Sequence, residues 1–123
     1  MNIVELVHAG LLVENTARAL GFYQGVLGLQ VYDARPDLGY PGAWLQVGWQ
    51  QIHLMELSNP GPMQVRPAYG GRDRHLALAV TELETIRLAL ETASISYTLS
   101  RSGRRALFCR DPDGNALEFI EQC

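Results

Sequence analysis

The sequence predicts an α+β chain made of two tandem βαβββ units, and three observations carry that prediction. The segment His8-Ala9-Gly10-Leu11-Leu12-Val13 is matched by His75-Leu76-Ala77-Leu78-Ala79-Val80, 67 positions later. Both open on a His, continue through an apolar stretch and reach a Val five residues on. Each copy runs directly into a helix signal, and each helix signal precedes three short apolar stretches bounded by turn residues.

The helix of the second unit begins at Thr81-Glu82-Leu83-Glu84, a capping box with Thr81 as N-cap and Glu84 three residues on. Leu83, Ile86, Leu90 and Ala93 then recur at helical spacing and give it one apolar stripe. In the first unit Asn15 or Thr16 caps a helix whose stripe is Leu20, Tyr23 and Leu27, and Gly28 stops it. The strands of the first unit follow at Gln30–Tyr32, Ala43–Val47 and Gln51–Leu57, with a Pro- and Gly-rich loop from Arg35 to Gly42. Those of the second lie at Ser96–Leu99, Ala106–Cys109 and Ala116–Glu121. Asp111-Pro112-Asp113-Gly114 is a turn between the last two, where Pro presets the bend and Gly takes a positive φ. The 123 residues are thus one domain, with unit one at about 1–58, a connector at about 59–71 and unit two at about 72–123.

Composition narrows the function. With 47% hydrophobic and 19% charged residues the chain can bury a core. A net charge of −3 gives nucleic-acid binding no electrostatic support. No apolar run is long enough to span a bilayer, and the start Met1-Asn2-Ile3-Val4-Glu5 lacks a basic leader, so a cytoplasmic protein without a membrane role is expected. All ten cations are Arg, which excludes Schiff-base chemistry and a Lys-based phosphate loop. Cys109 and Cys123 have no paired spacing and read as reduced thiols.

The three histidines carry the chemistry. His8, His53 and His75 each sit inside an apolar strand, and alternation points each imidazole away from its aliphatic neighbours. Glu118 has the same setting between Leu117 and Phe119. His8 corresponds to His75 at an offset of 67, and His53 to Glu118 at an offset of 65. Duplication therefore places four candidate ligands around a pseudo-twofold axis. Imidazoles with one carboxylate suit Zn, Ni, Co, Mn or Fe(II), and the absence of Cys favours an open catalytic position over a structural zinc site. A single His in an apolar strand is commonly a packed or surface residue; the joint, repeat-related pattern is what points to metal. Glu56, three residues beyond His53 on the opposite strand face, competes for the fourth position if a bulge intervenes. The flanks and the offset favour His53.

Two βαβββ units, a His opening each, Phe22-Tyr23-Gln24-Gly25-Val26-Leu27-Gly28-Leu29 and above all Asp111-Pro112-Asp113-Gly114-Asn115-Ala116-Leu117-Glu118-Phe119 resemble the vicinal oxygen chelate superfamily. That group includes glyoxalase I, bleomycin-resistance proteins, fosfomycin-resistance thiol transferases and extradiol dioxygenases, and the resemblance covers nearly the whole chain. It implies an open cup of mixed sheet and a homodimer. It also implies metal ligands at His8, His75 and Glu118, with the remaining glyoxalase I position at His53. A His there departs from the carboxylate or amide usual in glyoxalase I. The full ligand set argues against the metal-free drug-binding branch.

The function expected is a divalent-metal enzyme acting on a small molecule with two neighbouring oxygens. The metal acts as a Lewis acid in glyoxalase-like lyase or isomerase chemistry, with Glu118 or Glu56 moving a proton. A dioxygenase using His8, His75 and Glu118 as an iron triad, and a non-catalytic drug- or metabolite-binding protein, are the alternatives. Arg101 and Arg104, on the hairpin before Ala106, are candidates for binding an anionic group of the substrate.

Overall fold

The computed structural model describes residues 1–59 and 66–122, and the chain divides into two compact units, Met1–Pro60 and Gly61–Cys123. In the first, β1 (His8–Val13) leads into α1 (Thr16–Leu20), followed by β2 (Gln30–Tyr32), β3 (Gly42–Val47) and β4 (Gln50–Glu56). In the second, β5 (His75–Val80) leads into α2 (Leu83–Thr92), then β6 (Tyr97–Leu99), β7 (Ala106–Arg110) and β8 (Ala116–Glu121). The expected order, strand, helix and three strands, twice over, is the order observed.

Each unit is a four-stranded mixed sheet, ordered β1-β4-β3-β2 and β5-β8-β7-β6, with the opening strand parallel to the last strand and the other pairs antiparallel. One face of the first sheet carries Leu45, Ile52 and Leu54, fully buried together with Ala19, Phe22 and Tyr23 of the helical segment. In the second, Leu107, Leu117 and Phe119 are buried, as is Leu90 of α2. Removing a Leu or Phe side chain from water stabilises by about 1.5–3 kcal/mol, so these positions anchor each sheet to its helix. The polar strand residues are thereby left to the other face.

Two local features depart from the expectation. The first helix is α-helical only to Leu20 and continues as a π-helical turn over Gly21–Val26, closed by Leu27 N–H donating to the Phe22 carbonyl. Phe22 and Tyr23 are both buried within this π-helical turn. At α2 the N-cap is Glu82 and its side chain makes no capping bond. The Leu83 N–H donates instead to Glu121 Oε1 at 2.9 Å, so a distant carboxylate replaces the local capping box. Gly28 at φ 72° ends the first helical segment, and Gly114 at φ 84° completes the 111–114 turn, both as expected. The expected connector falls partly on residues 60–65, outside the described residues; after it Gly70–Arg72 forms a 3₁₀ turn just before β5. No helix among the described residues is long and apolar enough to cross a membrane.

Candidate functional site

In the second unit the register puts Glu118 opposite Ala77 on one side and Phe108 on the other, while His75 lies opposite Ala116. His75 and Glu118 are thus diagonal neighbours on one face. Their side chains meet: His75 Nε2 is 3.3 Å from Glu118 Oε1. Glu118 is 3% exposed, and burying a carboxylate without a partner is costly. The other ring nitrogen, His75 Nδ1, lies 2.9 Å from the Asp73 carbonyl. A carbonyl only accepts, so Nδ1 donates to it, and Nε2 is the ring nitrogen turned toward the carboxylate. Phe108 closes one side of the imidazole edge-on, with centroids 5.2 Å apart.

The turn that presents His75 is itself tied down. The Asp73 carboxylate receives Arg66 Nη1 at 3.0 Å and Arg110 Nη1 at 2.8 Å, and Arg110 also donates to the Gly114 carbonyl. Burial would raise the Asp73 pKa, but the Arg110 and Arg66 hydrogen bonds outweigh it and hold the group at about 2. A cavity of about 280 Å³ opens beside Phe108 and is lined also by Gly70, Thr98, Cys109 and Arg110. Desolvation, with a smaller contribution from Asp111, pushes the Cys109 thiol up to about 12, so it is an inert packing residue.

Arg104 reaches this carboxylate from the loop before β7, its Nη2 3.9 Å from Glu118 Oε2 while the side chain remains 61% exposed. Arg101 is held elsewhere: its guanidinium lies 4.3 Å over the Tyr69 ring, and its backbone N–H donates to the Tyr69 hydroxyl. The structure therefore brings one of the two candidate arginines to Glu118.

The first unit carries the equivalent face. His53 lies opposite Gly10 on β1 and Trp44 on β3, as Glu118 lies opposite Ala77 and Phe108. The rings of His8 and His53 stack at 3.9 Å with planes 14° apart, and Trp44 stacks on the far side of His53 at 4.0 Å and 3°. Tyr32 continues the row at 6.1 Å from Trp44. His53 Nε2 is 2.8 Å from Gln51 Oε1. Desolvation, His8 and Arg35 together lower the His53 pKa, so the ring is neutral at pH 7. Glu56 faces the other way, and its Oε1 accepts the Thr16 N–H at the start of α1 at 2.8 Å. Gln51 and Asp73 are contributors that sequence reasoning did not single out. Period-2 alternation along β4 puts Gln51 beside His53 on one face, whereas Trp44 is brought there by the β3–β4 register.

The donor chemistry of the second unit fits a divalent ion. Ligand bonds of about 2.1 Å place neighbouring ligand atoms about 3.0–3.4 Å apart, and the His75–Glu118 separation of 3.3 Å falls in that range. An imidazole nitrogen and a carboxylate oxygen at this separation are a nitrogen–oxygen donor pair of the kind that a divalent ion takes. The stacked imidazoles of the first unit do not fit a shared ion as they stand, because their lone pairs lie in parallel planes. Among the described residues, no group of three or more His, Cys, Asp or Glu side chains is assembled.

Residues 5–119 match the family model described as Glyoxalase/Bleomycin resistance protein/Dioxygenase superfamily. Glyoxylase I 4 of Arabidopsis thaliana is 27% identical over 124 residues, spanning 97% of this chain and 71% of the relative. A glyoxalase family protein from Bacillus anthracis superposes with a TM-score of 0.81 at 22% identity, covering 100% of this chain and 99% of its own. A variant of the fosfomycin resistance protein FosX from Listeria monocytogenes, complexed with Mn(II) and 1S,2S-dihydroxypropylphosphonic acid, superposes with a TM-score of 0.78 at 15% identity. The coverage there is 99% of this chain and 95% of the other. At these identities the two structural likenesses speak for the fold.

Proposed function

The chain belongs to the glyoxalase/bleomycin resistance protein/dioxygenase superfamily, and from that premise we propose that it is a divalent-metal-dependent enzyme of the glyoxalase-like lyase or isomerase kind. Its substrate is a small molecule with two neighbouring oxygens. His75 and Glu118 are the proposed ligands of the second unit, and His8 is the proposed metal-binding imidazole of the first.

The observation that supports this reading most is the His75–Glu118 pair, 3.3 Å apart, with the His75 tautomer set by the Asp73 carbonyl. A backbone acceptor on the distal ring nitrogen is the usual partner of a metal-binding imidazole, because it fixes the ring and raises its basicity. Once bound, the ion supplies Lewis acidity to the paired substrate oxygens. Glu118 is the group that moves a proton, since it is the buried carboxylate that stands beside His75. Arg104, 3.9 Å from Glu118, is free enough to meet an anionic substituent of the substrate with its guanidinium. Glu56 takes no part in proton transfer in this reading, because its carboxylate is engaged at the start of α1.

The test is metal content by mass spectrometry on untagged protein purified without chelator, followed by reloading with each divalent metal. The loaded protein is then given the thiohemiacetal of methylglyoxal in D2O. About one ion per chain, with isomerised product carrying deuterium at the former ketone carbon, is the expected result. A chain that takes up no metal under any loading condition overturns the proposal.

A further inference from the structure

The side-chain chain that begins at the β3–β4 turn settles which nitrogen of His53 carries its proton. Gln46 Nε2 lies 2.8 Å from the Gly48 carbonyl and 3.3 Å from the Gln50 carbonyl, both pure acceptors, so the Gln46 amide group points its NH2 there. Its Oε1 therefore accepts from Gln51 Nε2 at 2.9 Å. Gln51 Oε1 is then the atom left to face His53 Nε2 at 2.8 Å, and an amide oxygen only accepts. The proton sits on Nε2, and that nitrogen has no lone pair to offer an ion.

The ring is also held flat between two others. Trp44 covers one face at 4.0 Å and His8 the other at 3.9 Å, both nearly parallel to it. Imidazole lone pairs lie in the ring plane. An ion about 2.1 Å from a His8 nitrogen in the His8 plane therefore lies out of the His53 plane by roughly the stacking distance. Turning His53 toward such an ion would break two stacks and the Gln51 bond together. His8, by contrast, stands exposed on the edge strand β1, where the stack is available to set its plane.

We infer that His53 is a positioning residue that orients His8 through the Trp44–His53–His8 stack and the Gln46–Gln51 relay, and that it does not ligate the metal. The inference rests on His8 being a ligand, as proposed above. It predicts that the ring, and not its nitrogens, is what metal binding needs from position 53.

Two measurements on the full chain test it. In the first, Zn(II) affinity by chelator competition is compared for His8→Ala, His53→Phe and His53→Ala. His53→Phe, which keeps a stacking ring, should stay within about threefold of the parent. His53→Ala should lose about tenfold, the range of losses seen when a residue supporting a ligand is removed, and His8→Ala more. A loss in His53→Phe equal to that of His8→Ala overturns the inference. In the second, imidazole ¹⁵N shifts are read in metal-free and Zn(II)-loaded protein. His53 should show a protonated Nε2 in both states, and Gln51→Leu should abolish that single tautomer. A Zn(II)-dependent change of a His53 nitrogen to the ligated range overturns the inference. A parent chain that binds no Zn(II) defeats the ligand reading instead, and a His53 without a protonated Nε2 in that protein would defeat this one as well.

Discussion

Glu56 holds the start of α1 from 40 residues away in sequence, its Oε1 accepting the Thr16 N–H at 2.8 Å. Glu121 does the same for α2, accepting the Leu83 N–H at 2.9 Å across 38 residues. The two glutamates end the equivalent strands β4 and β8, so each unit clips its helix to its last strand by one carboxylate at a helix N-terminus. That relationship explains why Glu56 is turned away from the His53 face.

Removing the first clip should therefore cost stability and leave metal binding alone. Glu56→Ala is expected to lose about 1 kcal/mol, the usual cost of a lost N-terminal cap, with Zn(II) affinity unchanged within about twofold. Urea unfolding and chelator competition on the same preparation check both halves. A tenfold fall in affinity would make Glu56 a ligand after all.

The second clip gives a pH signature. The Leu83 N–H and then Arg105 hold the Glu121 carboxyl below its ordinary value. A group whose pKa is lower folded than unfolded stabilises above the unfolded value, and that contribution fades as the pH falls through the folded one. The thermal midpoint of the parent chain should thus exceed that of Glu121→Gln at pH 6. The gap should narrow as the pH is lowered below about 4.5, the ordinary glutamate value. A gap that is constant from pH 6 to pH 3 would contradict the assignment.

His75→Ala should weaken Zn(II) binding at least tenfold while the sheet survives, because β5 keeps its backbone pairing with β8. It also takes a partner from the buried Glu118 carboxylate, at a cost of about 1–3 kcal/mol. Far-UV circular dichroism, chelator competition and urea unfolding together separate these effects. Undiminished metal binding would sink the proposed ligand set.

The turn ahead of β8 should be sensitive at Asp111. Its buried carboxylate accepts the backbone N–H groups of Asp113 and Asn115 and the Asn115 side-chain amide, each at 2.8–2.9 Å. Asp111→Ala leaves those donors without their acceptor and is expected to cost about 2–3 kcal/mol in urea unfolding. A cost under about 0.5 kcal/mol, as for an ordinary surface change, would mean that water replaces the carboxylate freely.

Much of the candidate site was legible before any coordinates. Period-2 alternation put His8, His53, His75 and Glu118 on the strand faces opposite their aliphatic neighbours. The duplication paired them two by two, and the registers Gly10↔His53 and Ala77↔Glu118 give the same correspondence. What alternation does not contain is the identity of cross-strand neighbours. That Trp44 lies beside His53, and Phe108 beside Glu118, depends on the lengths of the β3–β4 and β7–β8 connections. The π-helical turn was likewise illegible, because the stripe Leu20, Tyr23 and Leu27 is compatible with an unbroken α-helix.

By itself, then, the sequence determined the two-unit plan, the order of elements, the turn at 111–114 and which side chains share a face. These follow from local periodicity and from residues whose backbone preferences act over a few positions. The tertiary structure decided the hydrogen-bond partners: Glu121 rather than Thr81 on α2, the Asp73 carbonyl on His75, Gln51 on His53. Whether a histidine can ligate is set by which of its nitrogens another group has claimed. For His75 and His53 the claiming group lies only two residues away along the chain, but whether it turns to meet the ring is a matter of ångströms that spacing does not encode.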